Sequence, residues 1–193
     1  MNKLSSVFAC ILILAGGILA SAQTDEEPPP QRSTAQVVDF ILSIQEHRVL
    51  ELAGVVPANK YSFAPRGDGF AGVRTFAEQL RHIAADNYLL GAGILGEKPP
   101  VDTGTGESGP PSVHTKTEII DYLRGSFEYM HRAAASIDDA NLVIPTPQIS
   151  PWPNGTATRL GVALEECVHT WDHYGQLVEY LRMNGITPPE SRK

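Results

Sequence analysis

Three capping boxes, each followed by apolar residues at helical spacing, constrain the fold more than any other feature of this sequence. Ser33, Thr75 and Thr115 each stand three residues before a Gln or a Glu. In such a box the side chain of the first residue accepts a hydrogen bond from the backbone N–H three residues later. The Glu or Gln side chain at that later position accepts one from the backbone N–H of the first residue, and the pair marks a helix N-terminus. Three helices are therefore expected to begin at these positions.

A fourth helix is predicted near the C-terminal end, closed by Gly185 and followed by Pro188, a sequence typical of a helix C-terminus. The four predicted helices cover residues 33–53, 75–95, 115–136 and 158–184. No strand-like alternation runs for more than a few residues. The sequence therefore predicts an all-α fold, a four-helix bundle. Long crossover loops are expected, because loops of about 15 to 20 residues exceed what adjacent antiparallel helices need.

The first 22 residues have the three-part pattern of a secretory signal peptide. Lys3 supplies a positive charge, residues 7–15 are unbroken apolar, and residues 20–22 form an Ala-Ser-Ala cleavage site. The apolar part is shorter than the roughly 18 residues that a membrane span needs. We therefore expect an exported protein, periplasmic or secreted, that is cleaved after Ala22 and keeps no membrane span.

After cleavage, residues 23–32 would form an extended leader rich in proline, residues 33–187 the bundle domain and residues 188–193 a tail. Cys167 would be the one remaining cysteine, so no internal disulfide can form. We expect it to be a small core residue rather than a metal ligand. The chain has 15 Lys and Arg against 22 Asp and Glu. This acidic balance lacks the basic face of nucleic-acid-binding proteins, so no nucleic-acid partner is expected.

Histidine is the most informative residue type. His169 and His173 lie four residues apart in the last predicted helix. Four residues advance a helix by about 400°, so both imidazoles project from the same face and could bind one metal ion at about 2.0 to 2.1 Å. The spacing equally suits a solvated helix face. The opposite side of this helix carries an apolar stripe, which we expect to be the packing face: Leu160, Leu164, Cys167, Trp171, Tyr174, Val178 and Leu181.

A histidine pair needs a third ligand, and His82 in the second predicted helix is the best candidate. Glu78 and Asp86 lie one turn before and one turn after it, where either carboxylate could orient the imidazole from outside the ligand set. Glu166, one turn before His169, is a weak candidate for a general base or an extra ligand. The remaining histidines at positions 47 and 114 are expected to be surface or structural residues.

A second constellation would form a di-iron carboxylate bundle. Two Glu-x-x-His motifs occur at residues 128–131 and 166–169, and di-iron bundles combine two such motifs with one Glu from each remaining helix. Glu46 and Glu78 could supply those two carboxylates. The motifs fall on the third and fourth helices rather than on alternate ones, and His173 would have no role, which argues against this arrangement.

Three segments resemble the DinB/YfiT-like family, whose members are regarded as metalloenzymes. Residues 169–185, HTWDHYGQLVEYLRMNG, are similar to its C-terminal signature. Residues 75–84, TFAEQLRHIA, resemble its second-helix segment, and residues 57–65, PANKYSFAP, resemble the loop before that helix. The resemblance covers roughly residues 33–187 in order, and it identifies the chain as an exported member of a family with a DinB-like domain.

The resemblance implies a four-helix bundle with crossovers and a single divalent metal held by His82, His169 and His173. Characterised members include thiol-dependent transferases and isomerases. This sequence departs from the family at Tyr174, where the residue after the last histidine is often Arg. Export is a second departure, because low-molecular-weight thiol cosubstrates are mainly cytosolic.

We therefore expect an exported, metal-dependent hydrolase or transferase that acts on a small molecule. The metal could be zinc, nickel, iron or manganese, because imidazole ligands suit several divalent ions. A non-catalytic metal- or ligand-binding bundle with an envelope or stress function is the alternative, and the di-iron bundle is the third. The loops at 97–113 and 141–157 carry no motif that names a substrate, and a homodimer is compatible with the sequence without being indicated by it.

Overall fold

Four helices dominate the structure, a computed structural model that describes residues 30–146 and 157–192. Helices α1 to α4 span Thr34–Val55, Phe76–Leu95, Lys116–Ala135 and Arg159–Met183. Within the described residues there is no β-strand, only an isolated bridge between Pro145 and Thr158. The all-α prediction is confirmed. The predicted signal peptide, residues 23–29 of the leader and residues 147–156 of the last long loop lie outside the described residues.

The helix termini form where the capping boxes predict them. In all three boxes the N-cap side chain, at Ser33, Thr75 or Thr115, accepts a hydrogen bond from the backbone N–H three residues later. The Gln or Glu side chain at that later position accepts one from the backbone N–H of the N-cap residue. Gly96 after α2 and Gly185 after α4 adopt left-handed backbone with φ of 72° and 70°. Glycine ends a helix in this conformation without the steric cost that a Cβ would add. Local sequence therefore sets the length of each helix.

The helices occupy the four corners of a bundle in which α1 and α2 each pack against both α3 and α4. Helices α1 and α2, consecutive in sequence, therefore lie at diagonally opposite corners, and so do α3 and α4. Each of these diagonals needs a connection that crosses one end of the bundle, which explains the long loops. The predicted crossovers are present, and α2 is the neighbour of α4.

Two large apolar clusters fill most of the bundle, and a layer of buried polar side chains crosses it near their boundary. The larger cluster includes Leu52, Leu80, Leu123 and Leu177, and the smaller one includes Leu42, Ile94, Met130 and Val162. Every helix contributes one fully buried polar residue to this layer: Gln45, Asn87, Ser126 and Glu166. Buried polar groups need internal partners, so this layer ties the helices together by hydrogen bonds rather than by apolar contact alone.

The predicted packing face of α4 is wrong in part. Leu164 lies on that stripe but is 48% exposed, while Glu166 and His173 on the other side are buried. Because α4 lies between α1 and α2, it buries a face that includes the histidines, and the apolar stripe falls partly outside. Trp171 stays half-covered, with the Arg48 guanidinium 5.1 Å from its ring.

Helices α2 and α3 approach each other closely at two glycines. A Cβ built on Gly91 would lie 2.8 Å from the Tyr129 ring, and one on Gly125 would lie 2.6 Å from Tyr88 Oη.

The 3₁₀ turn Pro189–Ser191 packs on α1, where Glu190 forms an ion pair with Arg48. No helix within the described part of the chain is long and apolar enough to cross a membrane.

Candidate metal centre

The three predicted ligand histidines meet between α2 and α4. His169 Nε2 lies 3.1 Å from His82 Nε2 and 3.0 Å from His173 Nε2. His82 and His173 are buried, and the His169 side chain is 20% exposed. The interpretation of the His169 and His173 face as a solvated helix surface is therefore wrong, because the diagonal topology places α2 over that face.

A hydrogen bond beside the histidines holds α2 and α4 in register. The buried Gln79, one turn before His82, donates to Gln176, which in turn donates to Asp172. The distance from Gln79 Nε2 to Gln176 Oε1 is 2.7 Å. Because buried amides must find partners, sliding one helix along the other would break this bond and move the imidazoles apart.

The loop between α2 and α3 orients the first histidine. His82 Nδ1 lies 2.7 Å from the backbone oxygen of Glu107. A carbonyl oxygen only accepts, so His82 donates from Nδ1 and turns an unprotonated Nε2 toward the other two rings. Glu107 has a φ of 60°, the one left-handed residue other than glycine in the described part of the chain. Such strain persists only where surrounding structure enforces it, and it clusters at functional sites.

Tight glycine packing holds this loop against α2. Gly109 lies so close to Arg81 that a Cβ would meet the Arg81 Cβ at 2.9 Å. A Cβ on Gly104 would meet the backbone oxygen of Gly109 at 2.2 Å. The loop thus needs glycine at both positions, and its folded shape places the backbone oxygen of Glu107 next to His82 Nδ1.

Asp86 approaches the histidines on the side where their Nε2 atoms converge. Its Oδ2 lies 2.9 Å from His169 Nε2 and 3.6 Å from His82 Nε2. The prediction that Asp86 orients an imidazole from outside the ligand set is wrong, because the carboxylate faces Nε2 rather than Nδ1. Glu78 does not reach the histidines either, since its carboxylate accepts from the backbone and hydroxyl of Thr75.

Burial keeps two of the histidines neutral. It lowers the pKa of His173 to about 3, with the neighbouring histidines adding to the effect. Burial also lowers the pKa of His82, against the charge of Asp86. Burial opposes the charged form of His169 as well, but the hydrogen bond and charge of Asp86 outweigh it and raise the pKa of His169. Neutral imidazole is the form that ligates metal, so His82 and His173 are held in the form that a metal needs.

The spacing of these nitrogens suits a single ion. Two ligands that are each about 2.05 Å from one metal lie about 2.9 Å apart at right angles and about 3.3 Å apart at a tetrahedral angle. The observed separations of 3.1 and 3.0 Å fall within this interval. Three imidazole nitrogens with an adjacent carboxylate are also a donor set for divalent transition metals. The residues present therefore fit a divalent metal.

Glu166 lies in the polar layer rather than among the converging nitrogens. It is fully buried, accepts from Thr170 Oγ1 at 2.8 Å, and lies against Asn87. Burial raises its pKa to about 7. The converging groups of ligand-type side chains in the described residues are His82 with His169 and His173, and His82 with Asp86 and Glu107. As a general base or extra ligand, Glu166 has no support from this arrangement.

The di-iron arrangement does not assemble. His131 points to α1, where its Nδ1 lies 2.6 Å from Asp39 and its Nε2 lies 3.3 Å from Glu46. Its two nitrogens thus face two different carboxylates instead of one shared ion. Glu78 is engaged as a helix cap. Within residues 30–146 and 157–192, these side chains form no common cluster with Glu166.

The remaining cysteine and histidines lie where the sequence places them. Cys167 is a buried free thiol in the smaller apolar cluster. His47 and His114 have side chains that are 74% and 70% exposed. Sequence reasoning missed Glu107 at the site. Its signal was the glycine cluster at 104–109, because a loop that needs several left-handed residues is usually built to deliver one group to a set position.

Comparison with known proteins agrees with this architecture. The model of the DinB superfamily matches residues 41–177. The structure is similar to a crystal structure of a conserved protein from Enterococcus faecalis, with 16% identity, a TM-score of 0.62, and coverage of 79% of this chain and 98% of that one. A DinB-like protein from Bacillus cereus matches with the same identity and TM-score over 79% of this chain and 93% of that one. No curated protein sequence matches the chain.

Proposed function

The chain belongs to the DinB superfamily, and from this premise we propose that it holds one divalent metal on His82, His169 and His173. We propose further that this centre serves hydrolysis or group transfer on a small molecule. The observation that carries the proposal is that the Nε2 atoms of His82 and His173 both lie about one ligand spacing from Nε2 of His169. Three protein nitrogens leave coordination positions free, as in catalytic rather than structural sites.

The chain's own residues prepare the site for such chemistry. The Glu107 carbonyl holds the proton of His82 on Nδ1, so that Nε2 stays free. Burial keeps His173 neutral over the whole physiological pH range, because its pKa is about 3. A divalent metal bound there would supply Lewis-acid polarisation of an electrophile or activation of a water or thiol nucleophile. The partly exposed His169 side chain marks the side from which a small molecule can approach.

The first experiment is elemental analysis of the purified protein after repletion with zinc, nickel, iron or manganese. We expect one metal per chain, lost in His82→Ala and in His173→Ala. His114→Ala is the matched control, because His114 is exposed and lies away from the converging nitrogens. Its metal content should equal that of the wild type. Two metals per chain, or no bound metal in the folded protein, would contradict the proposal.

A turnover screen then separates the enzyme from a non-catalytic metal-binding bundle. Esters, amides and thiol adducts should be offered to the metal-loaded protein, with His173→Ala as the inactive reference. Saturable turnover that disappears in His173→Ala supports the hydrolase or transferase. Tight metal binding without turnover across the panel favours a binding or stress function instead.

We also propose that the protein is exported and acts in the periplasm or outside the cell. The support is the sequence pattern of residues 1–22. Mass spectrometry of the protein purified from the envelope or medium should find an N-terminus at Gln23. An intact N-terminus on protein recovered from the cytoplasm would contradict export while leaving the metal proposal untouched.

A further inference from the structure

Asp86 is the residue of the centre whose position the three-histidine arrangement does not explain. It lies one turn after His82 on α2 and is 8% exposed. Its Oδ2 reaches two of the three converging nitrogens, at 2.9 Å from His169 and 3.6 Å from His82. No other donor contacts this carboxylate within residues 30–146 and 157–192.

Metal binding would remove the partners that Asp86 has. Without a metal, a proton on His169 Nε2 can be shared with Asp86 across 2.9 Å. An ion on the three Nε2 atoms replaces that proton, because a ligating nitrogen carries none. A buried carboxylate left with no donor and no counter-charge is strongly unfavourable. A metal ion held by the three histidines would supply the counter-charge that the Asp86 carboxylate needs.

We propose that Asp86 is a fourth ligand, so that the centre is a mixed site of three imidazoles and one carboxylate. This inference rests on the proposed metal function and deepens it. The separation of 2.9 Å between Asp86 Oδ2 and His169 Nε2 equals the spacing of about 2.9 Å expected for two ligands at right angles on one ion. A small rotation of the carboxylate would bring Oδ2 equally close to His82.

A fourth protein ligand changes which metals can work. Zinc in a tetrahedral site would be closed by four protein ligands and would have no position left for substrate. An ion that accepts five or six ligands keeps positions open. Carboxylate oxygen suits manganese, whereas imidazole suits iron, nickel, copper and zinc. The mixed set therefore favours a five- or six-coordinate ion such as manganese or iron for catalysis.

Glu107 supports the same assignment from the other side. A carboxylate oxygen of Glu107 lies within 4.8 Å of ligand-type atoms of both His82 and Asp86. A second carboxylate therefore lies close to Asp86 and His82. Carboxylate oxygens are ligands that suit manganese.

The test compares metal binding by the wild type, Asp86→Asn, Asp86→Glu and the control Glu165→Gln. Glu165 lies on α4 one turn before His169 and is exposed. Its replacement removes a charge that acts on His169 without touching the ligand set. Affinity for Mn(II) and Zn(II) is measured by competition with a chelating dye. The visible spectrum of the Co(II) form reports the coordination of the ion.

We expect Asp86→Asn to weaken Mn(II) binding by more than about 100-fold, beyond the roughly 10- to 100-fold typical of a residue outside the ligand set. Zn(II) binding should weaken less, because three histidines suffice for zinc. The Co(II) spectrum should change in Asp86→Asn and in Asp86→Glu, which keeps a carboxylate at a shifted position. Glu165→Gln should match the wild type in both measurements.

An unchanged Co(II) spectrum in folded Asp86→Asn would overturn the ligand assignment, whatever the affinity. If Asp86→Asn does not fold, the spectrum of Asp86→Glu decides alone, since the charge is retained. These outcomes are distinct from failure of the proposed function. In that case the wild type itself binds no metal, and the Asp86 variants do not differ from it.

Discussion

The backbone oxygen of Glu107 lies 2.7 Å from Nδ1 of His82, so a loop residue with left-handed backbone sets the orientation of a ring on α2. The contact uses the main chain, which any residue at this position could supply. What position 107 requires is the backbone conformation, with a φ of 60°. Substitutions there therefore separate conformation from side-chain chemistry.

Glu107→Gly should raise the free energy of unfolding by up to about 1 kcal/mol. It removes left-handed strain of about 1 to 2 kcal/mol, offset in part by the greater freedom of glycine in the unfolded chain. Glu107→Val should lower it by at least about 1 kcal/mol, because a β-branched residue resists this conformation. Chemical denaturation of the metal-free variants measures both. Equal stability of the two variants would show that position 107 carries no strain.

Gly109→Ala should displace the loop between α2 and α3 and weaken metal binding. A Cβ there would lie 2.9 Å from the Arg81 Cβ, so the loop must move and take the Glu107 carbonyl from His82. Gly106→Ala is the control, because Gly106 also has a positive φ but has open space around its Cβ position. It should cost about 1 to 2 kcal/mol of stability without further loss of metal affinity.

For these two loop variants, titration with Mn(II) or Zn(II) gives the affinity and thermal unfolding gives the stability. We expect a loss of roughly 10- to 100-fold in affinity for Gly109→Ala, the range typical of an outer contact to a ligand. Equal affinities for the two variants would contradict a role of the loop in orienting His82.

Gly125→Ala should destabilise the bundle, although alanine is the better helix former by about 1 kcal/mol. The new Cβ would lie 2.6 Å from Tyr88 Oη, so the buried Tyr88 ring would have to shift against its neighbours. Gly175→Ala should instead stabilise by up to about 1 kcal/mol, because its Cβ position on α4 has nothing within 4 Å. Thermal unfolding of both variants is the measurement. Stabilisation by Gly125→Ala would mean that the two helices pack less tightly there than the structure shows.

Glu166 should make stability fall as the pH rises. Burial raises its pKa from 4.5 to about 7, so between these values the folded state keeps a proton that the unfolded state has lost. The stability contributed by the neutral carboxyl is complete below pH 4.5 and is lost as the pH rises through about 7. The shift corresponds to on the order of 3 kcal/mol.

Glu166→Gln keeps the shape and removes this titration. Unfolding of the metal-free wild type and of the variant should be measured at pH 5 and at pH 8. The variant should gain stability relative to the wild type by on the order of 3 kcal/mol between the two pH values. A difference that does not change with pH would show that Glu166 is ionised in the folded protein.

The helices and their ends could be predicted from the sequence because they depend on residues three or four positions apart. The box of Thr75 and Glu78 closes within one turn, and the positive φ of Gly185 is a property of that residue. The common face of His169 and His173 follows in the same way from the helical repeat. His82 was the best candidate for the third ligand, and the resemblance to a known family, rather than a local pattern, linked it to the pair.

The tertiary structure decided which side chains of different helices meet. The apolar stripe of α4 suggested one packing face, yet α4 buries Glu166 and His173, because α2 lies diagonally across from α1 and covers them. The same placement turns Asp86 toward the Nε2 atom of His169, and the loop between α2 and α3 brings Glu107 to His82. These contacts join residues 25 to 87 positions apart, where the relative position of whole helices, not local sequence, determines which atoms meet.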